Sequence, residues 1–229
     1  RWEYRYLKNL LERESQRVEG NKSIDLKVLL LDSDAEWASQ DRSALAEFPQ
    51  GDQVRVRHRA FQLDPGAQTA GRPTVDVLAE KYGIDRSQAI EMMSDVTDTA
   101  AGDGLHYQLD KTLAGNTATA HRLVLWAQER EAGAALLEAV FHAYFELGQP
   151  VFTLSDLEPL LVEAGLDPAE AGEMLAGDAY VADVVEDQAM AAQLGANGVP
   201  FFVVDRKVGV AGAQPVPVLL SALEQASQR

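Results

Sequence analysis

Apolar and polar residues recur with two different periods along this chain. Near the start, "LKVLLLD" is an apolar run of strand length, and "DQVRVRHRAFQLDP" alternates over Val54, Val56 and His58 as a half-buried strand does. The segment "ALAEFPQ" between them closes a helical stretch, and Asp64-Pro65 ends the second strand. The pattern therefore predicts a strand, a helix and a second strand.

The middle of the chain, from about residue 74 to 192, has helical periodicity instead. Ser or Asp precedes several of its apolar segments and Gly follows most of them, as expected at the two ends of helices. Beyond it, "VPFFVVD" and "VGVAGAQP" predict a pair of strands, and "PVPVLLSALEQASQ" predicts a final helix. The predicted fold is α/β: a sheet domain formed by residues 24–73 and 193–229 with an all-helical insertion at 74–192.

Residues 1–23 differ from the rest in charge and predict a separate amphipathic helix. The first 27 residues hold seven Lys or Arg against five Asp or Glu, whereas the whole chain has a net charge of −16. The apolar stripe of this helix consists of Tyr4, Leu7, Leu11 and Val18. We expect the helix to pack on the rest of the chain or on a second copy, which would make a homodimer.

Composition excludes several classes of function. The net charge of −16 and a pI near 4.6 argue against nucleic acid and against anionic lipid, both of which require basic surfaces. No apolar run reaches the roughly 20 residues that span a bilayer, and no signal peptide is recognisable, so we expect a cytoplasmic protein without membrane contact. The four histidines lack ligand spacing, and no metal site is predicted.

The chain has no cysteine. Disulfides, thiolate metal sites and cysteine nucleophiles are therefore absent, and the protein's own side chains cannot carry dithiol redox chemistry.

From about residue 26 onward, a series of motifs nevertheless resembles a thiol-handling family. These motifs are "FQLDP", "KYG", "AAGDGLHY", "GNTATAHRLVLWA", "FHAYFELG", "AGLD", "LGANGVPFFVVD" and "GVAGAQP". Their order and spacing are similar to those of the DsbA-like dithiol oxidoreductases of the frenolicin-cluster type. The resemblance implies a thioredoxin fold carrying a helical insertion, with an active site where the two meet. It also implies a cis Val199-Pro200 bond opposite a Cys-Pro-Trp-Cys motif on the first helix.

The chain departs from this family at the catalytic motif. If Asp32 at the end of the first strand is matched to the family, then Ala35, Glu36, Trp37 and Ala38 occupy the Cys-Pro-Trp-Cys positions. If "ALAEFP" is matched instead, residues 31–34 stand there. In both alignments the nucleophile is missing, so the helix N-terminus that lowers the pKa of the family's first cysteine has no thiol to act on.

A related group with the same fold uses a bound thiol. Kappa-type glutathione transferases and hydroxychromene-carboxylate isomerases resemble "D-x-S-S-P-Y-A" after the first strand, where serine holds the glutathione sulfur. Ala35 takes the serine position here, and Trp37-Ala38 matches the aromatic-Ala pair. The hydroxyl of Ser39 and free N–H groups at the helix start could hold a thiolate, so a low-molecular-weight thiol is the one cofactor that the resemblance suggests.

The stretch "LLLDSDAEW" also permits a phosphotransferase of the haloacid-dehalogenase type. Such enzymes present Asp-x-Asp beside Mg²⁺ at the end of a strand, as Asp32 and Asp34 would. Glu36 and Trp37 stand where a Thr or Val is needed, which disfavours this interpretation.

The site predicted from the resemblance is a groove in which the proline loop, the first helix and the insertion meet. Its ligand-binding residues are Trp37, Ser39, His121, Val199 and Pro200. Our leading hypothesis is a redox-silent member of the family that binds a small molecule or an extended peptide there. The alternative is a non-redox isomerase or thiol-cofactor transferase of kappa type.

Overall fold

The computed structural model describes residues 24–30, 43–102, 104–196, 198–212 and 214–228. The predicted N-terminal helix lies outside these residues, as do Asp32, Asp34 and the segment from Ala35 to Ser39. For residues 24–30 the description concerns the backbone.

Strands and helices follow one another in the order that the sequence pattern predicts. The strands are β1 (Ile24–Leu30), β2 (Val54–Ala60), β3 (Arg72–Pro73), β4 (Leu113–Ala114), β5 (Phe201–Val204) and β6 (Val208–Ala211). The α-helices are α1 (Thr74–Tyr82), α2 (Arg86–Gly102), α3 (Ala118–Gln128), α4 (Gly133–Phe141), α5 (Leu154–Glu163), α6 (Pro168–Ala176), α7 (Val181–Gln193) and α8 (Val216–Ser227). A π-helical turn at His142–Glu146 continues α4, and residues 43–47 are helical. Within the described ranges, no helix is both long and apolar enough to cross a membrane.

One compact unit contains a four-stranded sheet built from both ends of the chain. It comprises the residues up to Phe61 and those from Glu186 onward. The strand order is β2-β1-β5-β6, with β1 parallel to β2 and antiparallel to β5, and β5 antiparallel to β6. All four residues of β5 are buried, as expected for an inner strand with both faces covered. The predicted strand–helix–strand start and the predicted C-terminal strand pair are confirmed.

The second unit, Gln62–Val185, is almost entirely helical. Its helices pack through apolar stripes: α1 and α2 bury Val75, Ala89 and Met93 against each other, while α3 and α4 form a second pair. α5 begins with a capping box in which Thr153 and Asp156 exchange hydrogen bonds with each other's backbone. A two-stranded ladder of β3 and β4, which the sequence pattern did not predict, also belongs to this unit.

The division between the units differs from the predicted 73/74 and 192/193, and specific contacts explain the difference. Residues 62–73 belong to the helical unit because Asn116 accepts a hydrogen bond from Gln62 and donates one to the Pro65 carbonyl. Conversely, the second half of α7 belongs to the sheet unit, because Asp187 and Ala191 contact the sheet.

Asp187 is a buried carboxylate that ties α7 to the end of β2. It is 3% exposed, accepts the backbone N–H of Ala60 at 3.0 Å, and forms an ion pair with Arg59 at 3.2 Å. A buried charge without partners is costly, so this acid requires both of them. The contact fixes the position of α7 against the sheet.

We predict that Asp187→Ala lowers the free energy of unfolding by about 2–4 kcal/mol, because it leaves Ala60 N–H and Arg59 without their acceptor. Asp187→Asn keeps an acceptor oxygen and should cost less. Urea unfolding followed by circular dichroism measures both. Glu186→Ala, an exposed neighbour on the same helix, should change stability by about 0.5 kcal/mol or less. Equal losses for Asp187→Ala and Glu186→Ala would contradict a structural role for the buried acid.

Candidate functional site

The proline loop, residues 194–200, begins where a Schellman motif ends α7. Gly195, at a φ of 78°, donates its N–H to Ala192, and Ala196 donates to Ala191. Only the left-handed backbone conformation permits this pair of bonds, and glycine adopts it without steric cost. The sequence "LGANGVP" therefore stops the helix and turns the chain toward β5.

Apolar packing and one backbone bond hold the far end of the loop. Val199 packs against a cluster of buried residues that consists of Phe61, Ala191, Phe201 and Val203. The Val199–Pro200 peptide bond is cis, and Pro200 is buried. The carbonyl of Pro200 accepts the N–H of Gly212 at 2.9 Å. The motifs "GVP" and "GAQP", which are far apart in sequence, are thus joined by a direct hydrogen bond.

The loop has open space beside Gly198. A Cβ added there would meet no heavy atom of the described structure within 4 Å. Val199, the next residue, is half-buried. A ligand can therefore approach the backbone ahead of Pro200 without displacing a described side chain.

Asn116 organises the "GNTATAH" motif in the helical unit. Its Oδ1 accepts hydrogen bonds from the Gln62 side chain at 3.2 Å and from the Ala118 N–H at 2.9 Å, at the start of α3. Its Nδ2 donates to the Pro65 carbonyl. Gly115 just before it has no room for a side chain, since a Cβ would lie 2.7 Å from Phe152. The motif thus joins the "FQLDP" segment to the first turn of α3.

His121, on α3, is 2% exposed and lies within the helical unit. Its side chain is therefore part of the interior of that unit. Of the five predicted ligand-binding residues, the structure brings Val199 and Pro200 together in the sheet unit. Trp37 and Ser39 lie outside the described residues. A groove formed by all five residues stays a prediction.

Sequence reasoning missed the Asp187–Arg59 pair, although a signal for it exists. Val184, Asp187 and Ala191 follow one another at the spacing of a buried helical stripe. An acid in such a stripe indicates a buried partner. No group of three or more His, Cys, Asp or Glu within the described ranges is arranged to hold a metal ion.

One titratable group in the sheet unit is strongly shifted. Burial lowers the pKa of His58 from its ordinary 6.5 to about 4. Its neighbours on the same side of β2, Val56 and Ala60, are covered, whereas Arg55 and Arg57 on the other side are exposed. His58 is therefore neutral at physiological pH and serves as a packing residue.

Comparison with known proteins places this geometry in a family. The model of the DSBA-like thioredoxin domain matches residues 35–224. The chain belongs to the DSBA-like thioredoxin domain family. Membership confirms the predicted thioredoxin fold with its helical insertion, and the missing cysteines mean that this member has lost the thiols.

Solved structures agree with this assignment. A probable DsbA oxidoreductase from Streptomyces coelicolor is 38% identical, with a TM-score of 0.83 over 90% of this chain and 91% of that one. A putative protein disulfide isomerase from Nitrosomonas europaea is 17% identical, with a TM-score of 0.67 over 90% and 98% of the two chains. A 2-hydroxychromene-2-carboxylate isomerase is 18% identical, with a TM-score of 0.63 over 90% and 97%. The last two likenesses show the fold alone. No curated protein matches the chain significantly.

We predict that stability depends on pH through His58. Because the pKa of His58 is lower in the folded protein, the unfolded chain takes up the proton first as the pH falls. The free energy of unfolding should therefore drop between pH 6.5 and about 4, by up to about 3 kcal/mol from this group. The difference in stability between the parent and His58→Gln, measured by urea unfolding at a series of pH values, isolates the effect.

The matched control is His106→Gln, which removes an exposed imidazole and should keep the pH dependence of the parent. If His58→Gln shows the same pH dependence as the parent, the predicted linkage is wrong.

Proposed function

We propose that this protein is a redox-silent member of its family that binds a small molecule or an extended peptide at the proline loop. The observation that carries the proposal is selective loss. The chain has no cysteine, yet the loop is intact: the Schellman stop at Gly195, the packing of Val199 and the bond between Pro200 and Gly212 are all present. Within the family, the motifs support the frenolicin-cluster type.

The binding site would use the backbone ahead of Pro200 and the space beside Gly198. Trp37 and Ser39 complete it in our proposal, through ring stacking and one hydroxyl hydrogen bond. Each hydrogen bond to a ligand contributes about 0.5–1.5 kcal/mol, so shape and apolar contact must supply most of the affinity. Alanine at positions 35 and 38 makes the floor of this site apolar.

An isomerase or a thiol-cofactor transferase is the second candidate. The fold likeness to 2-hydroxychromene-2-carboxylate isomerase favours it, and so does the likeness to the cytosolic disulfide reductase DsbM from Pseudomonas aeruginosa, whose structure contains GSH. In this alternative a bound low-molecular-weight thiol replaces the missing cysteine. The DsbM likeness also supports a cytoplasmic location. Turnover of a substrate in the presence of glutathione, but not without it, would separate this candidate from a pure binding protein.

We predict no dithiol oxidoreductase activity. Insulin reduction and the refolding of a scrambled disulfide substrate should proceed at the rate without protein, because no thiolate is available. Ala35→Cys/Ala38→Cys should gain insulin reduction if the alignment on Asp32 is right. The control pair Glu170→Cys/Glu173→Cys has the same spacing on the exposed face of α6 and should stay inactive.

Activity of the parent that survives repurification would refute the redox-silent proposal. Equal gains in both cysteine pairs would refute the alignment instead.

We predict that filling the space beside Gly198 blocks the site. Gly198→Leu should lower affinity for glutathione or for the alkylated insulin B chain, whichever the parent binds, by about tenfold or more, since the leucine takes the place of the ligand. Titration calorimetry measures both probes, after native mass spectrometry of the purified protein has identified any small molecule that co-purifies.

Gly102→Leu is the matched control, because a Cβ at Gly102, at the end of α2 in the helical unit, also meets nothing within 4 Å. It should bind as the parent does. Unchanged affinity of Gly198→Leu, or an equal loss in both variants, would place the ligand elsewhere.

A further inference from the structure

Three arginines form a stripe along β2, on the side opposite its core-facing residues. Arg55, Arg57 and Arg59 alternate with Val54, Val56, His58 and Ala60. Since side chains alternate between the two faces of a strand, the three guanidinium groups share one face at intervals of about 6.5 Å. We call Arg55, Arg57 and Arg59 the arginine stripe.

The stripe is accessible and held in place at one end. Arg55 and Arg57 are exposed, and Arg59 is anchored by the buried carboxylate of Asp187. Arg55 has no ion-pair or hydrogen-bond partner among the described residues. In the register of the parallel pair, Asp25 is opposite Arg55 and Lys27 is opposite Arg57, so β1 adds one charge of each sign. The local balance therefore stays positive.

β2 is also the end strand of its sheet. Among the strands that the structure describes, none lies beyond it. An end strand offers backbone donors and acceptors to an added strand, and proteins use such edges to bind extended peptides. The arginine stripe and the unpaired edge lie on the same seven residues.

We propose that β2 binds an extended acidic peptide that carries Asp or Glu at alternate positions. Such a peptide, lying along the edge of β2, places its carboxylates on one face with the spacing of the arginine stripe. Arginine pairs with carboxylates through a planar fork, which adds geometric selectivity to charge attraction. This binding surface is independent of the function proposed for the proline loop.

Charge decides between an acidic peptide and other occupants. A second copy added edge to edge through β2 would bring two arginine stripes together, and like charges on adjacent strands repel. Nucleic acid would meet a chain with a net charge of −16 around a stripe of three arginines, which opposes binding of a long polyanion. A short acidic strand contacts the stripe and little else.

The test compares labelled short peptides by fluorescence anisotropy. One peptide alternates Glu and Val, and the other has the same composition with its glutamates contiguous. The parent should bind the alternating peptide about tenfold more tightly, because only that register matches the arginine stripe. Arg55→Glu/Arg57→Glu should lower affinity for the alternating peptide by about tenfold or more, and added salt should weaken parental binding.

The matched control is Arg206→Glu/Lys207→Glu, which makes the same change of net charge at the exposed turn between β5 and β6. It should keep affinity within about twofold, since distant exposed charges are screened. Gly198→Leu should bind the acidic peptide as the parent does, which separates this proposal from that for the proline loop.

Three results would overturn the proposal. They are equal losses in the two double variants, equal affinity for the two peptides, and tighter binding of single-stranded nucleic acid than of the alternating peptide. Circular dichroism of each variant verifies that the fold is retained, which the exposure of the replaced side chains leads us to expect.

Discussion

The position of α7 against the sheet depends on one buried carboxylate. Asp187 accepts the N–H of Ala60 and pairs with Arg59, at the end of the parallel strand β2. Two turns later the same helix ends, and the proline loop starts from there. A buried acid can be satisfied in few geometries, because both its charge and its lone pairs need partners. The apolar cluster around Phe201 then completes the placement of Val199 without needing any directional contact. Polar pairing thus fixes where the loop starts, and packing fixes where it ends.

Much of this arrangement could be predicted from sequence, for physical reasons. Strands β5 and β6 and the helices of the insertion have a clear apolar periodicity, and glycine after the helices marks where they end. The ladder of β3 and β4 escaped prediction because two residues a strand are too few to show a period. Asp187 escaped because helical periodicity is judged from apolar residues, and a paired acid in the stripe interrupts that pattern. The limits of the insertion depend on side-chain bonds such as that between Gln62 and Asn116, which a hydropathy pattern does not contain.

The candidate site was predicted less well than the fold. The motif resemblance located the proline loop, where Val199 and Pro200 lie side by side. It also placed His121 at the groove, whereas the structure buries this residue inside the helical unit. A motif reports that a residue is needed, but the need can be structural: in "GNTATAH" Asn116 makes the bonds that position the start of α3. Membership of a family therefore transfers the scaffold more securely than the role of each polar residue.

Loss of the thiols changes what this scaffold can gain from its electrostatics. In thiol-bearing members the helix N-terminus stabilises a thiolate, so its field is used within the protein. Without an internal anion, the same field acts only on whatever binds, and an anionic ligand gains from it. The chain's net charge of −16 works in the opposite direction over long distances, although salt screens that repulsion beyond about 10 Å. Anion recognition must then be local, as at the arginine stripe of β2, where three guanidinium groups share one face. An acidic protein of this kind selects ligands that are short enough to touch such a site without meeting the rest of its surface.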